Sequence, residues 1–469
     1  MKNSITEIAE LITRSFEENF EKMLTEKKDI SEFVIEVKKT LDQVGTVLAK
    51  EALEMMDSLV KCDSRRKQNW YVHEKSAPNT LATIFGEVHY HRTYYKHKTQ
   101  KDYRYLSDEL VGIDSYDKMD VSLKARLIEE AIDTPYARSG RKAAETIEVS
   151  SQSVMNAIRE LGPVSSGEVK SLRAKETPKI LYIEADEDHV AHRNKGVRSF
   201  EQRLVYVHEG SVSVGKGRHK LLGKKYFTFP PGTKTEEIWN TVWHYLDDTY
   251  DLERTEHIFI LGDGAAWIKA GAGYIPDSHY VMDGFHLHKA ISRADDENRK
   301  ALSQAIQDGK WALMNHLLIS LREEAKLDSR KKAIFDVQKY LDNNWPGIQA
   351  RRKYQGLLVG CSAEGHVSHV LSARLSSRPM GWSYLGANQM AHLRVHSANG
   401  IDIGQAYIKQ SASERKLYVH DQLPKQTVSS VAKAVGSNLK TIDNIPSLGS
   451  GTKSFAPLLR TIAHCKFDI

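Results

Sequence analysis

The N-terminal region carries apolar side chains at helical spacing. Between residues 4 and 60 they recur every three or four positions, as at Leu41, Val44 and Leu48. Such spacing places them along one face of a helix. The sequence therefore predicts a helical region over 1–75. Its apolar stripe packs within the chain or, as the alternative, pairs with a second copy.

The spacing changes to a strand-like alternation at residues 80–96, where Thr, Val, Ile and Tyr are frequent and Gly86 marks a tight bend. We expect a pair of strands there. From 89 to 104, basic residues such as Arg92 are interleaved with tyrosines. This mixture suits contacts with phosphates and stacked bases. A solvated hairpin with ordinary strand tyrosines is the alternative.

Helical spacing returns at 120–162. Within it, AAETIEVSSQSVMNAI has apolar positions and a capping serine, Ser150, that are typical of a helix-turn-helix. The second helix presents three polar side chains outward: Gln152, Ser153 and Asn156. Glu148 stands where glycine is usual in the turn, so two helices packed without DNA are the alternative. We assign 76–172 to a β-hairpin plus helix-turn-helix DNA-binding region.

Residues 178–400 show the order of an α/β domain, because strand patterns and helix patterns alternate after a polar linker. Strands are predicted at 179–191, 200–208, 213–229, 257–262 and 279–282, and helices at 235–249 and 285–293. Three strands, then helix, strand, helix, strand and helix is the order of a ribonuclease H-like domain. The polar residues of about 297–345 predict a helical insertion. Residues 401–469 form a tail of unknown role.

Composition narrows the class of protein. The chain has 67 Lys and Arg against 61 Asp and Glu, a net charge of +6 that permits a polyanionic partner. Basic residues cluster, for example at Arg351 and Arg352, where we expect phosphate contacts. Three scattered cysteines without a CxxC argue against disulfides. No signal peptide or apolar run of about 18 residues is evident, so we expect a cytoplasmic protein without a membrane partner.

Two apolar strand patterns end in aspartates. LYIEADEDHV carries Asp186 and Asp188, which project from one face of a strand because they are two residues apart. Either can be the functional acid, and we favour Asp186 because Asp188 nears the strand end. Asp263 follows an apolar run and precedes Gly264, which places it at a strand tip. A plain Asp-Gly turn gives the same pattern.

A third acid, Glu364, opens the helix-like segment SAEGHVSHVLSARL. Taken singly, it would only offset a helix dipole. An Asp, Asp, Glu set gathered in space would bind two divalent cations, and carboxylates without cysteine suit Mg²⁺ or Mn²⁺. We therefore expect two ions per site at Asp186, Asp263 and Glu364, with phosphodiesters as the substrate.

Asp283 and His286 lie three residues apart in YVMDGFHLHK, at a strand-to-helix junction. They are candidate auxiliaries that contact the scissile phosphate or hold the active-site loop. A structural histidine is the alternative. A zinc site of His286 and His288 with Asp263 or His279 is disfavoured, because no second cluster has ligand spacing.

Five segments in order, EADED, ILGDGAAWIK, MDGFHLHK, SAEGHVSHVLSARL and MGWSYLGANQMAHLR, resemble the DDE transposases of bacterial insertion sequences. The Lre-type family is the most similar, and Mutator-like transposases are similar more broadly. Upstream, TIFGEVHYHRTYY and YLSDELVGI also resemble the Lre-type family, so the resemblance covers about residues 80–400. In the last segment Trp382 and Arg394 match motif positions, which implies packing or DNA contact.

This resemblance implies a ribonuclease H-like core that cleaves transposon ends and joins them to target DNA. Asp186, Asp263 and Glu364 match the family's three acids. Asp283 and His286 match the Asp-x-x-His element of Mutator-like enzymes. Such transposases commonly act as multimers, so we expect a homo-oligomer on double-stranded DNA, associated with the nucleoid.

Two other functions fit the same chain. A DNA-binding protein without chemistry would use only the helix-turn-helix and the basic residues, although all three acids are intact. A structure-specific nuclease of the same fold would cut DNA without joining it. The long insertion and the upstream DNA-binding region favour transposition, because recognition of transposon ends needs extra surface.

Overall fold

Two compact units make up the described part of the chain in the computed structural model. The first contains the residues up to Glu160 and those from Gly404 onward, and the second runs Leu161–Ile403. The structure describes residues 2–26, 29–144, 146–162, 175–216, 218–294 and 299–419. Most of the predicted tail, 420–469, therefore lies outside the described residues, as does most of the predicted linker.

The first unit begins with two long helices and a hairpin. Its elements are α1 (Lys2–Thr25), α2 (Ile30–Cys62), α3 (Ser64–Asn69), β1 (Trp70–Thr83), β2 (Gly86–His97), β3 (Tyr103–Arg104), α4 (Leu106–Val111), α5 (Val121–Asp133), α6 (Tyr136–Lys142) and α7 (Ser151–Leu161). The predicted helices and strand pair form, although β1 begins at Trp70, inside the region 1–75 that the sequence predicts to be helical. β1 and β2 pair antiparallel, and Gly86 adopts φ +130°, which glycine tolerates at the bend.

The buried Asp57 ties α2 to the hairpin and to α4. Its carboxylate accepts hydrogen bonds from the Thr93 backbone N–H (2.8 Å) and hydroxyl (2.7 Å), and from the Ser107 hydroxyl (3.0 Å). A buried carboxylate is costly unless it is hydrogen-bonded in this way. The network therefore fixes the helix against β2.

The predicted helix-turn-helix differs from the structure in its first half. The sequence predicts a turn at Glu148 between two helices, but α6 ends at Lys142, and no described residue from there to Ser150 is helical. The usual turn has three or four residues, and this connection is longer. The Val149 N–H donates to the Gly140 carbonyl (3.1 Å), and the Val149 carbonyl oxygen occupies the space that a side chain at Gly140 would need. The predicted cap is confirmed, since the Ser150 hydroxyl accepts from the Ser153 N–H (3.1 Å).

The second unit holds a mixed sheet and a helical block. Its elements are β4 (Ile180–Val190), β5 (Phe200–His208), β6 (Ser211–Gly215), β7 (Arg218–Leu221), β8 (Lys225–Thr228), α8 (Thr235–Thr249), β9 (His257–Gly262), α9 (Ala266–Lys269), β10 (Ser278–Met282), α10 (Gly284–Ala294), α11 (Arg299–Gln307), α12 (Trp311–Glu324), α13 (Asp328–Asn343), α14 (Trp345–Lys353), α15 (Ala363–Val367), a π-helical turn (Ser368–Ser372), α16 (Ala373–Leu375) and α17 (Tyr384–Ala398). The last described helix, α18 (Ile403–Val419), continues into the first unit.

Five strands form the main sheet in the order β10-β9-β4-β5-β8. β5 runs antiparallel to β4 and to β8, whereas β4, β9 and β10 are parallel. The single strand predicted for 213–229 is instead a separate β6–β7 hairpin followed by β8. Gly223 breaks the run, because it adopts φ +55° and packs against Glu209.

The two faces of this sheet bury different helices. Leu181, Ile183 and Ala185 of β4 face the core that includes Trp239 and Leu246 of α8. The other face carries a smaller apolar cluster: Tyr182, Phe259, Leu261 and Val281, against Ala350 of α14 and residues 354–361. The alternation along β4 thus separates a packed face from the face toward α14 and α15.

The polar block predicted as an insertion forms helices around a core of its own. α10 to α14 share buried residues such as Leu302, Leu318, Val337 and Leu341. The block follows β10 and precedes α15 along the chain. Among the described helices, none combines the length and the apolar character needed to cross a bilayer.

Candidate functional site

Strand register brings Asp186 and Asp263 level with each other. β4 and β9 pair in parallel with a constant offset of 77 residues, as in Ile180 with His257 and Glu184 with Leu261. Asp186 and Asp263 are separated by the same offset, so each follows the paired strands to the same edge of the sheet. Level residues on parallel neighbours point to the same face. Both aspartates therefore face the side that α14 and α15 cover.

Asp283 extends this row to a third strand. β10 pairs with β9 at an offset of 20 residues, as in Met282 with Gly262. The same offset relates Asp283 to Asp263, and the Asp283 N–H donates to the Gly262 carbonyl (2.9 Å). Three aspartates thus lie level at one end of three adjacent parallel strands, with Asp186 inside β4 and Asp263 and Asp283 directly after β9 and β10.

The carboxylates of Asp186 and Asp263 repel each other in a partly buried setting. Burial raises the pKa of Asp186 to about 6, the Glu187 N–H that donates to Oδ1 (2.8 Å) opposes the rise, and the charge of Asp263 adds to it. Asp263 Oδ1 accepts from the Ala265 N–H (2.9 Å), and its carbonyl accepts from the Tyr340 hydroxyl (2.5 Å). The site therefore concentrates negative charge.

Asp283 holds His286 beside that charge. Asp283 Oδ2 lies 2.8 Å from His286 Nδ1, and the carboxylate also accepts from the backbone N–H groups of Phe285 and His286. Burial alone would raise the pKa of Asp283, but these hydrogen bonds lower it. The bond to Asp283 raises the pKa of His286 despite burial, and the charges of Asp186 and Asp263 raise it further. An imidazolium is thus favoured next to the aspartates.

Asp188, the other candidate for the first acid, is used differently. It is buried, and its Oδ1 accepts from the hydroxyls of Ser372 (2.9 Å) and Ser376 (2.7 Å). These bonds attach the π-helical turn and α16 to the end of β4. Of the two aspartates that the sequence left open, Asp186 is the one whose charge interacts with Asp263.

Glu184 is a functional candidate that sequence reasoning missed. It is fully buried in β4. Its carboxylate takes hydrogen bonds from five groups: the Tyr206 hydroxyl, His208 Nε2 (3.0 Å), Cys361 Sγ (3.3 Å), and the N–H (2.7 Å) and hydroxyl (3.5 Å) of Ser362. Burial would raise its pKa, but the bonds from His208, Tyr206 and Ser362 lower it. Glu184 therefore anchors the start of α15 on β4.

Glu364 lies in the first turn of α15, two residues beyond that anchor. It is exposed, and no hydrogen bond or ion pair joins its carboxylate to another described residue. Within the described residues, no group of three or more His, Cys, Asp or Glu side chains is arranged to hold a metal ion. The structure thus brings Asp186 and Asp263 together without grouping Glu364 with them. His279, of the zinc alternative, lies 3.0 Å from the Tyr354 hydroxyl.

The predicted DNA contacts of α7 share one side of that helix. Gln152 and Asn156 are exposed and are joined by a hydrogen bond (2.9 Å). Ser153 is partly buried, and its hydroxyl lies 2.9 Å from that of Ser150. The surface is open to a partner, and its role as a DNA contact stays a prediction.

Arg92 requires a correction. We expected it to present a free charge to phosphates, but its side chain is only 14% exposed and forms an ion pair with the buried Asp108. Its guanidinium also lies 3.6 Å from the centre of the Tyr105 ring. The charge of Arg92 is therefore neutralised inside the first unit.

Arg351 and Arg352 lie in α14, near the aspartate row. Arg351 is partly buried against Gly284, and its Nη1 donates to the Met282 carbonyl (3.4 Å). Arg352 is exposed and donates to Gln349 Oε1 (3.2 Å). Arg351 therefore lies beside the β10–α10 junction, and Arg352 is the next residue of the same helix.

The two motif residues near the C-terminal end of the second unit make structural contacts. Trp382 Nε1 donates to the Leu375 carbonyl (3.1 Å), and Arg394 Nε donates to the Val370 carbonyl (2.8 Å) in the π-helical turn. Both residues therefore hold the segment after Glu364. This is the packing role, one of the two that the resemblance allowed.

Known proteins resemble almost the whole chain. A family model, "Uncharacterised protein family (UPF0236)", matches residues 23–412. A UPF0236 protein of Caldanaerobacter subterraneus subsp. tengcongensis is 37% identical over 463 residues, which are 97% of this chain and 96% of that protein. Another from the same organism, whose name joins eleven gene designations, is 36% identical over 460 residues, with the same coverage.

Two matches are more distant. The "UPF0236 protein in vanSb 3'region" of Streptococcus gallolyticus is 24% identical over 394 residues, which are 81% of this chain and 85% of that protein. Among solved structures, the Drosophila P element transposase strand transfer complex has a chain that matches with 10% identity and a TM-score of 0.21, over 74% of this chain and 92% of that one. A likeness of that size supports neither a fold nor a function. The family model and the close relatives agree, and the chain belongs to the UPF0236 family.

Proposed function

We propose that this chain is a transposase that cleaves DNA and joins the cut ends to a target with the help of divalent metal ions. The observation that carries the proposal is the alignment of Asp186 and Asp263 on adjacent parallel strands. They are partly buried, and their charges repel. A strongly perturbed carboxylate such as that of Asp186 is more typical of chemistry than of stability.

The arrangement of the second unit supports a ribonuclease H-like fold. Its first strand, β4, lies at the centre of the sheet. β5 is antiparallel to β4, β8 is antiparallel to β5, and β9 and β10 are parallel to β4. This is the arrangement expected for the strand order that the sequence predicted. The helices α11–α13 stand between the last strand and Glu364, where the resemblance implies an insertion.

The donor chemistry of the aspartate pair fits magnesium or manganese. Both ligands are hard carboxylate oxygens, and Mg²⁺ in proteins is commonly held by one or two carboxylates while water and substrate phosphates complete its shell. We propose that Glu364 joins Asp186 and Asp263 when DNA is bound, and that the site takes two ions. When bound, the metal would activate water or a DNA 3′-hydroxyl and stabilise the leaving oxygen.

The neighbouring residues have distinct proposed roles. The imidazolium of His286, held by Asp283, places a positive charge where the scissile phosphate would lie. Arg351 of α14 would contact an adjoining phosphate. Glu184 would act only through position, because it anchors α15 and is itself inaccessible.

Gene copy number supports the proposal independently of geometry. One relative's name joins eleven gene designations in a single organism. A gene present many times in one genome is expected of an element that spreads its own copies. A DNA-binding protein without chemistry gives no such expectation by itself.

The test uses purified full-length protein and a DNA fragment that carries the ends of its own element, with Mg²⁺. We expect wild type to nick the ends and join them to a target plasmid. Asp263→Asn should lose both activities by more than about a hundred-fold, because even partners outside a metal's ligand shell cost about 10- to 100-fold. The control, Asp248→Asn, alters an exposed acid of α8 and should keep full activity.

Each other outcome selects a different function. Unchanged strand transfer by Asp263→Asn contradicts the assignment of the site. Wild type that binds the ends without any metal-dependent cleavage favours a DNA-binding protein. Cleavage of branched DNA without joining favours a nuclease of the same fold.

A further inference from the structure

A cavity of about 320 Å³ lies beside the Asp283–His286 turn and has no role in the site described so far. It is lined by residues of α10, α11 and α14 and by residues 355–360. Pockets for small ligands commonly measure about 300–1,000 Å³. The volume is therefore at the lower end of that range and suits one compact group.

The inner wall of the cavity is apolar. Leu287, Ile291, Ile306 and Ile348 line it, and all four are buried. Among the described residues that line it, none is Phe, Tyr or Trp and none is acidic. Such a wall accepts a flat or aliphatic group and does not attract a cation.

Two arginines of α14 stand at the cavity, and each lies against a glycine. The Arg351 guanidinium occupies the space where a side chain at Gly284 would lie, and the Arg352 guanidinium does the same at Gly309. Gly309 adopts φ +73°, which also favours glycine. The two glycines thus let both guanidinium groups lie close to the backbone around the cavity.

No carboxylate of the described residues pairs with either arginine. Among the described residues, neither Arg351 nor Arg352 forms an ion pair with a carboxylate within 4.0 Å. Asp308 feels the charge of Arg352, but its carboxylate is paired with Lys310 at 2.9 Å. Guanidinium groups in this state are suited to bind phosphate.

We propose that the cavity takes one unpaired nucleotide of a DNA strand, with its base against the apolar wall and its phosphate at Arg351 and Arg352. This inference rests on the proposed function. Gly284, at the cavity, directly follows Asp283, so a nucleotide held there would fix the strand next to the aspartate row. Enzymes that act on DNA repay the unstacking of one base, a few kcal/mol, through such a pocket.

The test measures binding, not cleavage, with full-length protein in EDTA. Two short duplexes of one sequence are compared: one fully paired, and one with a single bulged 2-aminopurine. We expect about ten-fold tighter binding of the bulged duplex. Its 2-aminopurine fluorescence should rise on binding, because the base leaves its stacked neighbours and no Phe, Tyr or Trp is among the described residues that line the cavity.

Ser303 of α11 offers a matched pair of variants, because it lines the cavity and is only partly buried. Ser303→Phe fills the cavity and should remove the preference for the bulged duplex, while binding of the paired duplex stays within about two-fold of wild type. Ser303→Ala should behave as wild type. Arg352→Gln alters an exposed side chain and should reduce the preference about three-fold even if Ser303→Phe fails to fold.

Competition by free adenosine monophosphate tests whether the cavity binds a nucleotide within a DNA strand or a free nucleotide. It should displace the bulged duplex only at concentrations far above the dissociation constant of that duplex. Equal affinity for the free nucleotide would overturn the assignment to a DNA strand.

The remaining outcomes also decide. A preference that survives Ser303→Phe, or wild type that binds both duplexes equally, overturns the cavity proposal and leaves the transposase proposal intact. Failure to bind either duplex removes both.

Discussion

The two units differ in whether their buried charges have an opposite charge beside them. In the first, Arg92 lies in the interior next to the carboxylate of Asp108, so its charge is compensated where it is buried. In the second, Asp186 and Asp263 bring two like charges to one edge of the sheet, and burial raises the pKa of Asp186 to about 6. A compensated ion supports a fold, whereas a repelling pair costs stability. The presence of this repelling pair therefore indicates a site suited to bind a positively charged partner.

The same contrast recurs within β4. Glu184 and Asp188 flank Asp186 on one face, and both are buried. Glu184 accepts from the Ser362 N–H just before α15, and Asp188 accepts from the Ser372 hydroxyl after that helix. The Asp186 carboxylate accepts only from the adjoining Glu187 N–H among the hydrogen bonds of the described residues. In β4, Glu184 and Asp188 therefore fix the neighbouring segment, and Asp186 remains available for chemistry.

Removing the Asp108 carboxylate that compensates the charge of Arg92 should have the largest effect on stability. Asp108→Ala leaves the Arg92 guanidinium without its carboxylate and the Tyr90 hydroxyl without its acceptor. We expect the free energy of unfolding of this unit to fall by about 3–5 kcal/mol, as for other broken buried pairs. Urea unfolding followed by circular dichroism measures it.

The control is Asp114→Ala, which removes an exposed acid a few residues away. Its effect should stay within about 0.5 kcal/mol. Equal losses in the two variants would mean that the Arg92 charge is solvated after all, and the contrast between the units would fail.

Part of the site could be predicted from the sequence. Apolar runs that end in Asp186 and Asp263 predict strands with acids near their ends, and both strands form. That the two acids lie level could not be predicted, because it depends on which residues of β4 and β9 pair. The intervening residues contain β5, β8 and α8, and their lengths do not determine that register.

The errors have a common cause, which is a partner distant in sequence. Asp188 could not be separated from Asp186, because its partners Ser372 and Ser376 come from a segment far along the chain. Arg92 looked free among tyrosines, and only the fold brings it to Asp108. Glu184 did carry a signal, since a carboxylate in the middle of an apolar strand must be hydrogen-bonded to be buried.

Glu184, the acid of β4 that anchors α15, should have the next largest effect on stability. Glu184→Gln places an amide N–H₂ among groups that donate, such as the Tyr206 hydroxyl and the Ser362 N–H. We expect a loss of about 2–3 kcal/mol, since hydrogen bonds to a charged group contribute about 1.5–3 kcal/mol. The variant should also lose strand transfer, because the start of α15 is no longer fixed. Glu201→Gln, at an exposed position of β5, is the control.

The sign of the pH dependence checks the cause of that loss. The pKa of Glu184 is lowered from its ordinary 4.5 in the folded protein. Its stabilising contribution is therefore present above pH 4.5 and is lost as the pH falls below that value. The difference between wild type and Glu184→Gln should shrink in acid. A difference that stays constant down to pH 3 would contradict a role for the charge.

The smallest expected effect has the opposite sign. The pKa of Asp186 is raised from 3.8 to about 6 in the folded protein, first by burial. The carboxylate therefore destabilises the fold at high pH; this cost is absent below pH 3.8, grows as the pH rises to about 6 and is constant above it. Without divalent cations, Asp186→Asn should stabilise the protein at pH 8 by about 1–2 kcal/mol, after allowance for partial exposure.

The gain should vanish near pH 4, and urea unfolding at both pH values measures it. Asp248→Asn, on the exposed side of α8, should show no such difference. Mg²⁺ sharpens the comparison, because a cation that binds the aspartate pair would stabilise wild type more than Asp186→Asn and so reduce the gain. If Asp186→Asn destabilises the protein at pH 8 as Glu184→Gln does, then Asp186 is a third structural acid of β4, and the repelling pair no longer indicates chemistry.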